Sequence, residues 1–125
     1  MIQLKRAYDE PTSKDGTRVL VERLWPRGVT KERAALDLWL KDIAPSPALR
    51  KWYGHMPARW GEFEKRYWRE LLDKPETVAK LRRLVRKGAV TFVYAAKDEE
   101  RNGAVALKAF LERRQGYSRR SRQHK

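Results

Sequence analysis

The segment at residues 18–28, Arg-Val-Leu-Val-Glu-Arg-Leu-Trp-Pro-Arg-Gly, constrains the fold of this chain more than any other segment. It begins with β-branched residues, which favour a buried strand. It stops at Pro26, because proline lacks the N–H that a strand ladder needs. Gly28 then permits a turn that most residues resist. The segment therefore predicts a strand that opens into a loop, with Arg23 and Arg27 at the edge where open α/β sheets bind ligands.

Two further strands are predicted, one on each side of this segment in the sequence. Residues 2–7 alternate apolar and polar side chains, as a half-buried strand does. Residues 90–96 are nearly continuously apolar, which is typical of a central strand covered on both faces. The long, helix-rich connection between the second and third strands favours parallel pairing. We therefore predict an α/β fold with a small parallel three-strand sheet packed by about five helices.

Helical periodicity accounts for most of the chain outside these strands. The first predicted helix has Thr30 as its N-cap and an apolar stripe at Leu36, Trp39, Leu40 and Ile43. Ser46 and Pro47 begin a short second helix, because serine caps helices and proline fits their first position. Two longer helices follow before the third strand, and a last helix carries Val105, Leu107, Phe110 and Leu111.

The formal net charge of +14 divides unevenly along the chain. Residues 113–125 contain six Lys/Arg and no acid, and they have no apolar stripe. Such a segment buries too little apolar surface to offset the entropy of ordering it. We therefore predict one α/β domain at residues 1–112 and a disordered basic tail at residues 113–125. Residues 1–112 keep 24 Lys/Arg against 16 Asp/Glu, so their surface either attracts polyanions such as nucleic acids or is simply a soluble cationic surface.

The composition argues against several classes of protein. No run of residues is long and apolar enough to span a membrane, and the first residues do not have the pattern of a secretory signal. The chain has no cysteine, so a thiol nucleophile, a disulfide and a thiolate metal site are excluded. We expect a cytoplasmic location, no membrane partner, and neither a metal nor a cofactor, because no metal-ligand spacing is present.

Polar residues at the predicted strand ends form the candidate ligand site. They are Arg6 after the first strand, Arg23 and Arg27 after the second, Lys97 after the third, and Asn102 at the start of the last helix. The carboxyl ends of parallel strands share one edge of a sheet, so these side chains are expected there together. Guanidinium groups, an ammonium group and a helix N-terminus are suited to an anion such as a phosphate.

Two other interpretations of these cations stay open at this point. Arg23 and Arg27 can instead pair within the fold with Glu22, Asp37 or Asp98, or they can simply be solvated. His55, in a loop between helices, is either an acid–base group or an ordinary polar residue. No catalytic residue is assigned by these patterns.

Several segments together resemble the YeaO-like branch of the domain-of-unknown-function family 488. They are residues 20–28, 36–39, 45–46, 49–50 and 93–98, together with Phe63 and Tyr67. The resemblance extends from about residue 2 to residue 111. It implies a small intracellular bacterial or archaeal α/β protein and implies no particular activity.

The chain departs from that family at the start of the last helix. Family members often have a histidine directly after the asparagine that opens this helix, whereas here Asn102 is followed by Gly103. A mechanism that uses this histidine cannot operate in this chain. We expect an anion site for a phosphorylated or nucleotide-like small molecule at the carboxyl edge of the sheet. The alternative is a non-catalytic, sequence-tolerant nucleic-acid-binding protein that uses its basic surface and tail.

Overall fold

A computed structural model of the chain describes the backbone of residues 1–123 and the side chains of residues 1–113. Its sheet has four strands: β1 (Ile2–Arg6), β2 (Thr17–Leu20), β3 (Leu38–Trp39) and β4 (Val90–Tyr94). All pairings are parallel, and the spatial order is β1-β4-β2-β3. The predicted parallel α/β fold is confirmed, whereas the predicted count of three strands is wrong because β3 was assigned to a helix.

The first helix, α1 (Lys31–Ala34), is a single turn that ends well before Trp39. The Thr30 side chain caps it by accepting a hydrogen bond from the Arg33 N–H, as predicted. Ala35 then adopts a left-handed conformation with φ of 48°, and this conformation ends the helix.

Hydrogen bonds to β2 explain why the chain forms β3 instead of continuing the helix. The Asp37 N–H donates to the Arg18 carbonyl at 2.9 Å, and the Leu40 N–H donates to the Leu20 carbonyl at 2.9 Å. The Asp37 carboxylate also accepts a hydrogen bond from the Arg18 N–H at 2.8 Å. These contacts satisfy backbone groups that a helix would otherwise satisfy, so tertiary pairing overrides the helical spacing.

Four further helices complete the fold. They are α2 (Pro47–Tyr53), α3 (Trp60–Leu72), α4 (Pro75–Lys87) and α5 (Gly103–Gln123). The Ser46 hydroxyl accepts a hydrogen bond from the Leu49 N–H, and Pro47 occupies the first turn of α2. The predicted start of this helix is confirmed, and the described residues form five α-helices around the sheet, as expected.

The central strand β4 is buried along its whole length and divides the core in two. On one face, Val90, Phe92 and Tyr94 belong to a large apolar cluster with residues of α2 to α5. On the other face, Val93 belongs to a smaller cluster with Leu20, around α1 and the loop before it. Alternate residues of one strand therefore fill two cores, as in a sheet covered on both sides.

The last helix, α5, is assigned beyond the predicted domain boundary between residues 112 and 113. Side chains are described only as far as Arg113, and residues 124 and 125 lie outside the described part of the chain. The basic tail at residues 113–125 therefore stays a prediction. Within the described residues, neither α5 nor another helix has the length and apolar character needed to cross a membrane.

Candidate functional site

A cleft of about 590 Å³ opens at the carboxyl edge of the sheet. Its walls are the segment after β2 (residues 21–27), the segment from the end of β4 to the start of α5 (residues 95–104), and α2. Tyr8, which follows β1, completes the lining. Three parallel strands therefore direct their following residues towards one cavity, at the edge where ligands bind in this class of fold.

The loop after β2 is held by two tryptophan side chains. The Trp39 indole N–H donates to the Glu22 carbonyl at 2.7 Å, and the Trp25 indole N–H donates to the Val29 carbonyl at 2.6 Å. The two rings meet edge to face, with their centroids 5.4 Å apart. Between these contacts, Gly28 adopts a φ of 77°, which glycine tolerates readily.

Glu22 joins the segments that follow β2 and β4. Its carboxylate accepts a hydrogen bond from the Ala95 N–H at 3.0 Å. Among the residues that line the described cleft, Glu22 carries the sole carboxylate. The acid therefore has a structural partner, and it contributes the one negative charge of the lining.

Four cationic side chains line the cleft against this single carboxylate: Arg27, Arg50, Lys51 and Arg101. The first three are exposed, and none of them is in an ion pair with a described residue. Lining cations without internal partners give the cleft a positive potential, which attracts anions.

Arg101 differs from the other three because it has a carboxylate partner. Its Nε lies 3.0 Å from the Asp98 carboxylate, which also accepts hydrogen bonds from the N–H groups of Glu100 and Arg101. The Glu100 N–H, followed by the N–H and guanidinium of Arg101, holds the pKa of Asp98 below its ordinary value. This local network fixes the turn that leads into α5 and leaves Arg101 only partly available to a ligand.

Two of the five predicted site residues, Arg27 and Asn102, line the cleft. Asn102 is buried, and its side-chain oxygen caps α5 by accepting the Val105 N–H at 2.9 Å. Its amide group donates to the Asp98 carbonyl at 2.9 Å. Asn102 therefore positions the N-terminus of α5 at the cleft through its own backbone and side-chain contacts.

The other three predicted residues lie outside the cleft lining. The Arg6 guanidinium donates to the carbonyls of Ala95 and Ala96, at 3.3 and 3.0 Å. Lys97 is exposed, and Arg23 is half-buried, with an Nε atom that has no hydrogen-bond partner among the described atoms. The geometry thus separates these three side chains from Arg27 and Asn102.

The ion pairs considered for Arg23 and Arg27 are absent from the described part of the structure. The three candidate carboxylates have other donors: Glu22 accepts from Ala95, Asp37 accepts from Arg18, and Asp98 accepts from Arg101. Internal pairing therefore does not account for these two arginines.

The sequence interpretation missed the contribution of α2 to the site. Arg50, Lys51 and Tyr53 all lie on this short helix, and all three line the cleft. Burial raises the pKa of the Tyr53 hydroxyl; the Asp98 charge raises it further, and the Arg101 charge opposes this. The available signal was the pair of adjacent cations followed by two aromatic residues, Trp52 and Tyr53, of which Tyr53 is buried. Their distance in the sequence from the strand ends concealed their position at the cleft.

Histidine and clusters of metal-binding side chains commonly carry chemistry, and both were considered for this cleft. His55 lies exposed at its wall with a left-handed φ of 57°. Within the described residues, no group of three or more His, Cys, Asp or Glu side chains could hold a metal ion. The polar lining of the cleft consists mainly of cationic donors, which are able to contact anionic groups.

Comparison with known proteins identifies the family. A family model described as the inactive DUF488-N3 subclade matches residues 1–124. The chain belongs to this family.

Two similar proteins, together with the family match, confirm the resemblance to the YeaO-like branch. The uncharacterised protein Rv3073c of Mycobacterium tuberculosis is 41% identical over 110 residues, which cover 88% of this chain and 92% of the relative. The uncharacterised protein YeaO of Escherichia coli is 39% identical over 110 residues, which cover 88% of this chain and 96% of the relative. No solved structure matches the chain.

Proposed function

We propose that this DUF488-N3 protein binds a phosphorylated small molecule in the strand-end cleft and does not transform it. The observation that carries the proposal is the charge of the lining, where four cations face one carboxylate that is already hydrogen-bonded. The family description, an inactive subclade, supports binding without catalysis. The resemblance also implies a histidine at the position that Gly103 occupies here, and its absence fits binding without acid–base chemistry.

In this proposal, the residues around the cleft have different roles. Arg27 and Arg50 supply guanidinium groups, which match the oxygens of a phosphate in a bidentate manner, and Lys51 adds a mobile point charge. Asn102 holds the N-terminus of α5 at the cleft, and the first N–H groups of a helix favour an anion. Arg50 and Lys51 replace Arg23 and Lys97 in the site that the sequence predicted.

Calorimetric titration with pyrophosphate tests this proposal. Substitution of Arg50 by glutamine should weaken binding by about tenfold, the effect of losing one charge-assisted hydrogen bond. Arg86→Gln is the matched control, because Arg86 is also exposed on a helix but does not line the cleft. Saturable binding that responds to Arg50 and not to Arg86 supports the site. Absence of binding, or an equal loss in both variants, would overturn it.

A second candidate function, sequence-tolerant nucleic-acid binding, is favoured by the outer surface of α4. This helix carries five Lys/Arg and one Glu, whereas α3 carries three of each sign. Lys80, Arg83 and Lys87 are exposed at spacings that place them on one helix face, over about 10 Å. None of them is in an ion pair with a described residue, so a basic surface is available to a phosphate backbone.

The basic tail follows a contact between α5 and α4. The Arg82 guanidinium of α4 donates to the Leu111 carbonyl of α5 at 3.1 Å, so the chain passes α4 just before residue 113. Residues 113–125 then add six Lys/Arg to the sequence. We propose that α4 and the tail would contact a duplex backbone together if this second function operates.

Fluorescence anisotropy with a labelled DNA duplex at several salt concentrations tests the second candidate. Replacing Lys80, Arg83 and Lys87 with glutamine should weaken binding and reduce the salt slope by about three phosphate-equivalents. A control with Lys14, Lys31 and Arg33 replaced by glutamine has the same change in net charge at other exposed positions. Equal losses in both variants would show that only net charge matters, and the assignment to α4 would fail.

A further inference from the structure

The Tyr8 ring is a fixed aromatic wall of the cleft. Its hydroxyl donates to the Arg27 carbonyl at 3.1 Å, and the Arg6 guanidinium lies 4.9 Å from the ring centroid. Arg6 is itself held by the carbonyls of Ala95 and Ala96. The end of β4 therefore positions Arg6, Arg6 covers the Tyr8 ring, and the Tyr8 hydroxyl is tied to the loop after β2.

This ring also keeps accessible surface at the cleft. Tyr8 is 38% exposed, and it belongs to the cleft lining together with Arg27. An aromatic side chain with restrained geometry costs little further entropy when a flat group stacks on it. Its position next to the Arg27 backbone places a stacking surface beside a cation that suits phosphate.

The size and composition of the cleft suit a ligand larger than an inorganic anion. Its volume of about 590 Å³ is in the range of sites for drug-sized molecules, roughly 300–1,000 Å³. Apolar residues make up much of the lining, and Leu24 at the cleft is 69% exposed. A phosphate alone would contact the cations and leave these apolar surfaces in water.

We infer that the ligand of the cleft is a phosphate monoester with a flat aromatic group, such as a nucleoside monophosphate, and that this group stacks on Tyr8. The inference rests on the proposed anion-binding function and narrows its ligand class. Arg27, Arg50 and Lys51 bind the phosphate, while the aromatic group occupies the space beside Tyr8. Stacking on an aromatic side chain tolerates different rings because each presents a π-face.

Calorimetric titration with adenosine monophosphate, phenyl phosphate and ribose 5-phosphate tests the inference. Both aromatic monoesters should bind about tenfold more tightly than ribose 5-phosphate, as expected for one stacked ring. Tyr8→Leu should abolish this preference, because leucine has no ring on which an aromatic group can stack. Tyr8→Phe should retain the preference, and it controls for loss of the hydroxyl contact to Arg27.

The outcomes separate this inference from the proposed function on which it rests. If ribose 5-phosphate binds and the aromatic monoesters bind no more tightly, the aromatic ligand class is wrong and the anion site stands. If the preference exists but survives Tyr8→Leu, the stacking role of Tyr8 is wrong. If none of the three phosphates binds, the proposed function fails and the inference fails with it.

Discussion

The Glu22 carboxylate and the Ala95 N–H, 3.0 Å apart, connect the segments that leave β2 and β4 at the cleft. Glu22 is held at a second point, because its carbonyl accepts the Trp39 indole N–H. A single residue therefore links two parallel strands and the neighbouring strand β3 at the edge of the sheet. The hydrogen bond stabilises the walls of the cleft, whereas the negative charge of the Glu22 carboxylate would repel an anionic ligand.

Substitution of Glu22 by glutamine should separate these two effects. Glutamine keeps a carbonyl oxygen that can accept the Ala95 N–H, so the free energy of unfolding should change by less than about 1 kcal/mol. Loss of the charge should raise pyrophosphate affinity by about threefold to tenfold. Calorimetry and urea unfolding measure the two quantities. Glu22→Ala is the control, and it should lower stability by about 1 kcal/mol because the N–H loses its partner. A lower affinity in Glu22→Gln would contradict the assigned role.

Trp39→Phe should loosen the loop after β2. It removes the hydrogen bond to the Glu22 carbonyl, at a cost of about 1–2 kcal/mol including lost packing. Limited trypsin digestion should then cleave faster after Arg23 and Arg27, and pyrophosphate affinity should fall.

Trp68→Phe is the matched control for this substitution. The Trp68 indole N–H donates to the Ala106 carbonyl at 3.0 Å, so the chemical change is the same at another place in the fold. It should lower the free energy of unfolding by a similar amount without accelerating cleavage in the loop. Equal acceleration in both variants would mean that global stability, and not the Trp39 contact, controls access to the loop.

The buried Asp15 carboxylate should make stability depend on acid pH. Burial alone would raise the pKa of Asp15, but the Thr12 N–H, Lys5 and Arg18 outweigh it and lower the pKa from 3.8 to about 2. The folded pKa lies below the unfolded one, so the stabilisation is complete above about pH 4 and is lost as pH falls towards about 2. This amounts to roughly 2 kcal/mol.

Urea unfolding between about pH 6 and about pH 2 measures this dependence. In Asp15→Asn the free energy of unfolding should no longer show the part of its pH dependence that Asp15 contributes. Its value near neutral pH should fall by about 3 kcal/mol, because buried Arg18 loses its charged partner. Asp42→Asn, at an exposed carboxylate, should keep the slope. Parallel pH profiles for the unchanged protein and Asp15→Asn would exclude Asp15 as the source.

Deletion of residues 116–125 should have little effect on stability. The deleted segment contains four of the six Lys/Arg of the predicted tail and none of the described core residues. The free energy of unfolding should therefore change by only a few tenths of a kcal/mol, about the size of ordinary surface changes. Thermal unfolding measures this, and a large loss would show that the segment is packed against the domain.

The same deletion should weaken any binding to a DNA duplex. The slope of log affinity for the duplex against log salt concentration should become less steep, by an amount that corresponds to up to about four phosphate contacts. Pyrophosphate binding in the cleft should persist. Anisotropy and calorimetry measure the two activities separately. Unchanged duplex affinity would remove the tail from the second candidate function and leave the α4 surface as its remaining basis.

Local patterns in the sequence were sufficient to predict the strands β1, β2 and β4, the parallel α/β class and the helix cap at Ser46. The continuous apolar run that became β4 is buried on both faces, and a proline after a serine begins α2. These features depend on burial and on hydrogen bonds between near neighbours, so the residues themselves determine them. The edge of the sheet that holds the cleft followed from the parallel arrangement of the strands.

The formation of β3 and the identity of the residues that line the cleft depend on the tertiary structure and could not be predicted from the sequence. Leu38 and Trp39 have helical spacing with their apolar neighbours, yet pairing with Val19 and Leu20 provides competing backbone hydrogen bonds. Arg50 enters the cleft because α2 packs across the sheet edge, whereas Arg6 is drawn to the carbonyls after β4. Which cation reaches the cavity depends on contacts between residues far apart in the chain, and local spacing in the sequence contains no record of those contacts.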